Sequence, residues 1–136
     1  MPACSYAEPD RTPVEHVELA IDNGRYATAQ ELCDSLILGP SFGNLSVNEL
    51  CRLSLAFMRL SENTSNEEAN TAFAARSLQA AIERDSDSTI IFLNSVPVED
   101  QARLALITAI NEAHNAPAIT DTVDYEDRDS NIVSNQ

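Results

Sequence analysis

Apolar residues recur along this chain three and four positions apart, in blocks separated by short polar or glycine-bearing stretches. Val14, Val17 and Ile21 form the first such stripe, a spacing that places side chains on one face of a helix. Thr12-Pro13-Val14-Glu15 precedes it. Thr12 is suited to the N-cap, Pro13 to the first helical position and Glu15 to the third, the reciprocal arrangement of a capping box. Asn23-Gly24 is expected to stop this helix, because glycine takes the left-handed conformation that the residue past a helix end needs. A second helix is predicted from Tyr26 to Leu38, with Ala29, Leu32, Cys33, Leu36 and Ile37 as its stripe and the GPSFGN stretch as its end. In LSVNEL, Ser46 caps, Glu49 reaches back and Leu45 can staple against Leu50. Leu50, Leu53, Phe57 and Leu60 carry this third helix to Ser61. Ser65 with Glu68 offers another capping box, opening a fourth helix that runs to about Arg84 through Ala69, Ala72, Phe73, Leu78, Ala81 and Ile82.

The stretch TIIFLNSVP has the β-branched run of a buried strand, but nothing else in the chain could pair with it. An isolated strand leaves its backbone groups unsatisfied, so a short helix or turn that plugs the core is predicted. A last helix starts near Val98, carries Leu104, Ile107 and Ile110 on one face and ends near His114-Asn115. Residues 116–136 are acidic and lack a sustained period, the pattern of a disordered tail, and residues 1–11 form a short polar tether. The expectation is therefore an all-α domain over 12–115, built from five or six helices in antiparallel hairpins.

Helix, Gly-x-Tyr turn, helix with small residues facing the first: this resembles the tetratricopeptide repeat (TPR). Gly24, Tyr26 and Ala29 match the family's G-x-Y-x-x-A turn, and Leu50, Leu53 and Phe57 fall at the large, large and aromatic positions of its first helix. Ala74, Leu78 and Ala81 fall at the small, bulky and small positions of its second, and AAIERDSDS resembles its repeat ending. His16, Val17 and Ala20 depart from the Leu, Gly and Tyr the family prefers, and Ser41 and Ser86 stand where it has proline. The second unit also needs a connection about eight residues longer than the roughly 34-residue period allows. The resemblance covers about Thr12 to Ser88 and implies a TPR-like right-handed array. Two hairpins plus the Val98–Ala113 helix would supply the minimum of about three units that such arrays require.

The resemblance also implies a binding surface, since the first helix of each unit lines the concave side. Val14, Glu18, Ile21 and Asp22 would come from the first unit, and Asn48, Cys51, Leu55, Met58 and Arg59 from the second. These residues are mostly apolar or acidic, unlike the basic and Asn positions of the family's peptide-carboxylate clamp. An apolar groove with acidic and Arg edges would suit an amphipathic partner helix. The competing expectation is that the C-terminal helix covers Leu55 and Met58, because a small array needs that burial for its own stability.

Composition narrows the remaining choices. Aromatic residues are only 5% of the chain, which favours helices over strands. The net charge is −14 and every base is Arg; such a surface repels phosphate backbones and anionic headgroups, so no nucleic-acid partner is expected. No apolar run is long enough to span a bilayer. Cys4, Cys33 and Cys51 are odd in number and lack CxxC spacing, which excludes a disulfide framework or a zinc set. Cys33 and Cys51 fall on apolar faces as inert thiols. Pro2-Ala3-Cys4, followed by a polar tether, resembles the remnant of a bacterial lipoprotein signal without its apolar part. In that reading Cys4 is the lipidation site and the helices stand off a membrane in the cell envelope; without a lipid, the chain is a cytoplasmic adaptor.

Catalytic signals are lacking. There is no GxSxG, HExxH or Walker loop. A Cys33–His16 pair could in principle meet across the first hairpin, but nothing in the sequence orients it, and burial makes a thiol inert. DTVDYEDRD lacks the glycine and terminal glutamate of an EF-hand loop. No enzyme, cofactor or metal is expected. The expected function is non-catalytic protein–protein interaction; the alternative is a structural subunit that self-associates or completes a larger assembly. An open groove at Leu55 and Met58 would favour the first, and an apolar patch on the outer face of the last helix the second.

Overall fold

The chain begins its first helix where a reciprocal pair of hydrogen bonds forms at Thr12 and Glu15. In the computed structural model, which describes residues 11–115 (the side chains of His114 and Asn115 excepted), Glu15 N–H donates to Thr12 Oγ1 at 3.2 Å and Thr12 N–H donates to Glu15 Oε1 at 2.8 Å. Ser46 and Glu49 repeat the device at 3.1 and 2.9 Å. Each box satisfies two of the backbone donors that a helix start leaves orphaned. The described residues form α1 (Pro13–Asp22), α2 (Tyr26–Leu38), α3 (Val47–Asn63), α4 (Glu67–Arg84), α5 (Ser86–Leu93) and α6 (Val98–Asn115), with a 3-10 turn at Pro40–Asn44 between α2 and α3. There is no strand among them. Cys4, the tether 1–11 up to Asp10, and the tail 116–136 lie outside the described residues.

The α1–α2 corner depends on Gly24. Its φ is +75°, Gly24 N–H donates to Ile21 O at 3.0 Å, and Arg25 N–H donates to Ala20 O at 2.8 Å. This pair of bonds is the Schellman closure of a helix end. A Cβ at Gly24 would meet nothing within 4 Å, so a substitution there is penalised by backbone conformation alone. Gly24→Ala is expected to destabilise the protein by about 1–2 kcal/mol, the cost of a left-handed L-residue. Urea unfolding should show a lower midpoint with an unchanged slope.

The start of α4 differs from expectation. Ser65 forms no capping box with Glu68; the N-cap is Asn66, without a side-chain bond. Thr64 is the polar hub of this link instead. Its hydroxyl donates to Leu60 O at 2.7 Å and accepts from Asn66 N–H and Asn70 Nδ2, both at 3.3 Å. Because Thr64 closes α3, its side chain reaches the donors of the next helix before Ser65 can.

α1 packs on α2 and α3 packs on α4, while α3 also meets α1, α2, α5 and α6. Every residue from Leu53 to Met58 is buried, so the middle of α3 is covered all round, while Asn48, Arg52, Arg59 and Glu62 reach the surface. Phe57 is the largest fully buried side chain and stands 5.4 Å from the ring of Phe73 on α4. Asn70 of α4, also fully buried, exchanges two amide hydrogen bonds with Gln30 of α2, at 2.7 and 2.9 Å. The 3-10 turn is held to α4 by Arg84, which donates to Gly43 O at 2.7 Å and to Leu45 O, and by Arg76, stacked 5.3 Å over Phe42.

TIIFLNSVP contributes a helix, as the lack of a partner strand implied, but it does not plug the core. Asp85 caps α5 by accepting from Ser88 N–H at 3.1 Å. Only Thr89 of α5 is buried; Ile90 and Ile91 are 53% and 69% exposed. Eight residues make little more than two turns, and α5 lies on α3 and α4 by its Thr89 side with Phe92 and Leu93 half-buried, leaving the two isoleucines outside.

Candidate functional site

The residues expected to line a concave groove divide between the interior and the surface. Val14, Ile21, Cys51, Leu55 and Met58 are buried in the common core. Of the two expectations, burial of Leu55 and Met58 agrees with a covered surface and overturns the open apolar groove: α3 sits in the middle of the fold and spends these side chains on its neighbours. Glu18 and Arg59 are half-exposed, and Asp22 and Asn48 are exposed. Glu18, Arg59 and the edge of Leu55 line, with Arg52, Pro97, Glu99, Asp100 and Arg103, a depression of about 350 Å³ between α1, α3 and α6.

The three arginines of this depression are already engaged. Arg52 grips Glu18 with two nitrogens, its Nε at 2.9 Å, and Arg52 Nη1 donates to Asn48 Oδ1 at 3.4 Å. Arg59 pairs with Asp22 at 2.9 Å. Arg103 holds both oxygens of Glu62, at 2.8 and 3.0 Å, and Asp100 at 2.7 Å. Hydrogen bonding to Glu62 raises the affinity of Arg103 for its proton, and the same contact holds the Glu62 carboxyl below its ordinary value. The bond to Glu18 acts likewise on Arg52. An anionic ligand would have to displace a carboxylate from each of these pairs.

The other exposed feature is the outer side of α6. Leu104 and Ile107 face the core, and buried Asn111 donates from Nδ2 to Ala75 O at 3.0 Å, fixing α6 against α4. At about 100° per residue, Val98, Ala102, Ala105, Leu106, Ala109 and Ala113 share the opposite sector, roughly 100° wide. All six are exposed, Val98 at 75% and Leu106 at 52%. Glu99 bounds this sector on one side, and Gln101 and Glu112 on the other. A helix apolar on both faces is ordinarily covered on both. Of the six large apolar side chains left exposed among the described residues, four (Ile90, Ile91, Val98 and Leu106) belong to α5 and α6, and Leu19 and Leu38 lie on α1 and α2. The signal for this face was present in the sequence as a second apolar set beside Leu104, Ile107 and Ile110; the four alanines obscured it, since alanine is equally at home on a solvated helix.

No cluster of His, Cys, Asp and Glu capable of holding a metal ion occurs among the described residues, and no helix there is long and apolar enough to cross a membrane. Burial, aided by the negative charge of Asp34, pushes the Cys33 thiol far up. Burial pushes Cys51 up to about 11, against a hydrogen bond with Thr89 that lowers it. Both shifts favour the thiol over the thiolate that nucleophilic attack requires. A disulfide-exchange reagent is expected to leave Cys33 and Cys51 unlabelled in the folded protein and to label both in denaturant, as read by intact-mass spectrometry before and after unfolding.

Comparison with protein-family models, curated proteins and solved structures found no match.

Proposed function

We propose that this chain is a non-catalytic, TPR-like structural subunit that completes a larger assembly through the outer face of α6, the alternative that a closed Leu55–Met58 groove and an apolar outer face of the last helix favour. The observation that carries the reading is the contrast between two surfaces. Leu55 and Met58 are buried at 8% and 3% exposure, whereas Val98 and Leu106 stand open beside four exposed alanines. Exposed apolar surface of this kind, bounded by polar residues, marks association sites in soluble proteins. The amphipathic-peptide groove inferred from the family resemblance is not carried forward, because its apolar floor is occupied by the protein's own core. The reading holds with or without a lipid on Cys4.

Photo-crosslinking in the native host tests it. A benzophenone amino acid in place of Leu106 is expected to yield a discrete protein adduct, while the same group in place of Leu38, which is 68% exposed on α2, yields none. Absence of an adduct at 106, or the same adducts at both positions, would end this reading.

A further inference from the structure

Each of the two earlier units of the fold is closed by the helix that follows: α2 packs on α1, and α4 packs on α3. α6 meets α3 and α4, but no described helix follows it, and its outer sector stays open. This exposed sector, roughly 100° wide along α6, is broad enough to seat one helix. Ala102, Ala105 and Ala109 would let a helix axis approach closely, since small side chains hold packed helices less far apart. Val98, one turn before that row, and Leu106, within it, supply the larger apolar contacts.

Charge selects the occupant. Glu99 and Glu112 flank the sector, and Glu67 and Glu68 stand beside Ile110 in the adjoining hollow between α4 and α6. From Asp85 to Ala113 the chain has a single base, Arg103, and it is committed to Glu62 and Asp100. A second copy of this chain would bring the same acids and the same net charge of −14. The chain's own residues beyond Asn115 are rich in Asp and Glu and carry the sign of the rim. Both are electrostatically mismatched.

Building on the α6 face proposed above, we infer that the occupant is a basic amphipathic helix of another protein, which lays an apolar stripe against Val98, Ala102, Leu106 and Ala109 and sets Lys or Arg beside Glu99 and Glu112. The partner helix completes the third unit as α2 and α4 complete the first two.

Calorimetric titration of the full chain tests this with two synthetic helical peptides of about 18 residues, the length of a partner spanning α6. Both carry Leu and Ala on one face; one has Lys on both flanks, the other Glu at the same positions. The Lys peptide is expected to bind in the micromolar range and to weaken by about tenfold or more on moving from low to high salt, as screening dictates. The Glu peptide should not bind. Leu106→Glu should abolish binding of the Lys peptide, the double variant Glu99→Gln/Glu112→Gln should weaken it several-fold, and Leu38→Glu should leave it unchanged, each with the helical circular dichroism of the parent. No binding of the Lys peptide overturns the inference. Equal binding of both peptides, lost in Leu106→Glu, overturns the basic occupant and leaves the α6 face standing. A dimer in sedimentation that Leu106→Glu disperses does the same, with a second copy as the occupant. Lys-peptide binding that survives Leu106→Glu overturns the inference and the α6 reading together.

Discussion

Replacing Phe57 by Ala is expected to lower the stability of the protein by about 3–5 kcal/mol and its melting temperature by on the order of 10–20 °C. Phe57 is fully buried in the middle of α3, tilted against Phe73 of α4 at 5.4 Å. Truncation removes the transfer free energy of the ring, the aromatic contact and the packing of everything around the vacated volume. Collapse into that space is restricted, because the neighbouring residues from Leu53 to Met58 are themselves buried and the middle of α3 is covered all round by other helices. Phe57→Leu keeps most of the volume and should cost about 1 kcal/mol, so the pair gives a graded series. Thermal and urea unfolding followed by circular dichroism measure it. A loss below about 1 kcal/mol for Phe57→Ala would mean that α3 is not enclosed in this manner.

The second large effect lies at the polar contact between α2 and α4. Asn70→Ala is expected to destabilise by about 2–3 kcal/mol, because it deletes the reciprocal amide pair with Gln30 and the bond to Thr64 while leaving the Gln30 amide short of a partner. Gln30 retains its bond to Asp34 at 3.1 Å and is half-buried, which keeps the figure at the lower end of what a fully buried orphan would cost. Gln30→Ala orphans Asn70 in the interior and should cost nearly as much. The two losses are not additive: a double-mutant cycle should return a coupling of about 1–2 kcal/mol. Gln30→Met with Asn70→Leu should recover most of the stability, since removing both polar partners at once strands neither. Urea midpoints of the four proteins decide this, and an additive cycle would show that the amides act independently.

These two sites also mark where the sequence could be read and where it could not. The local signals held. Thr12 with Glu15 and Ser46 with Glu49 start helices where their spacing says, Gly24 stops α1 with a positive φ, and α2 runs from Tyr26 to Leu38. Each of those decisions is made within four residues of chain. Ser65 with Glu68 failed because Thr64, one residue earlier, was better placed to serve both α3 and α4. Asn70 gave no sign of burial, since its partner is forty positions away in the sequence and the pattern along α4 is polar at that point. The groove was lost for a related reason. The stripe on α3 was visible through Leu50, Leu53, Phe57 and Leu60, but that Cys51, Leu55 and Met58 were also covered depended on where α1, α5 and α6 would lie. TIIFLNSVP illustrates the limit from the other side: its apolar run suggested depth, and its eight-residue length kept Ile90 and Ile91 at the surface.

The enclosure of α3 bears on how the chain comes apart. Stacked helical pairs ordinarily fray from either end, each unit leaving with little effect on those remaining. Here loss of α1 and α2, or of α5 and α6, would strip water-excluding cover from the same central rod, so neither terminal portion is free to detach by itself. Amide protons of α3 should therefore exchange only through global opening, and a nick between α2 and α3 should release unfolded fragments rather than a persistent half.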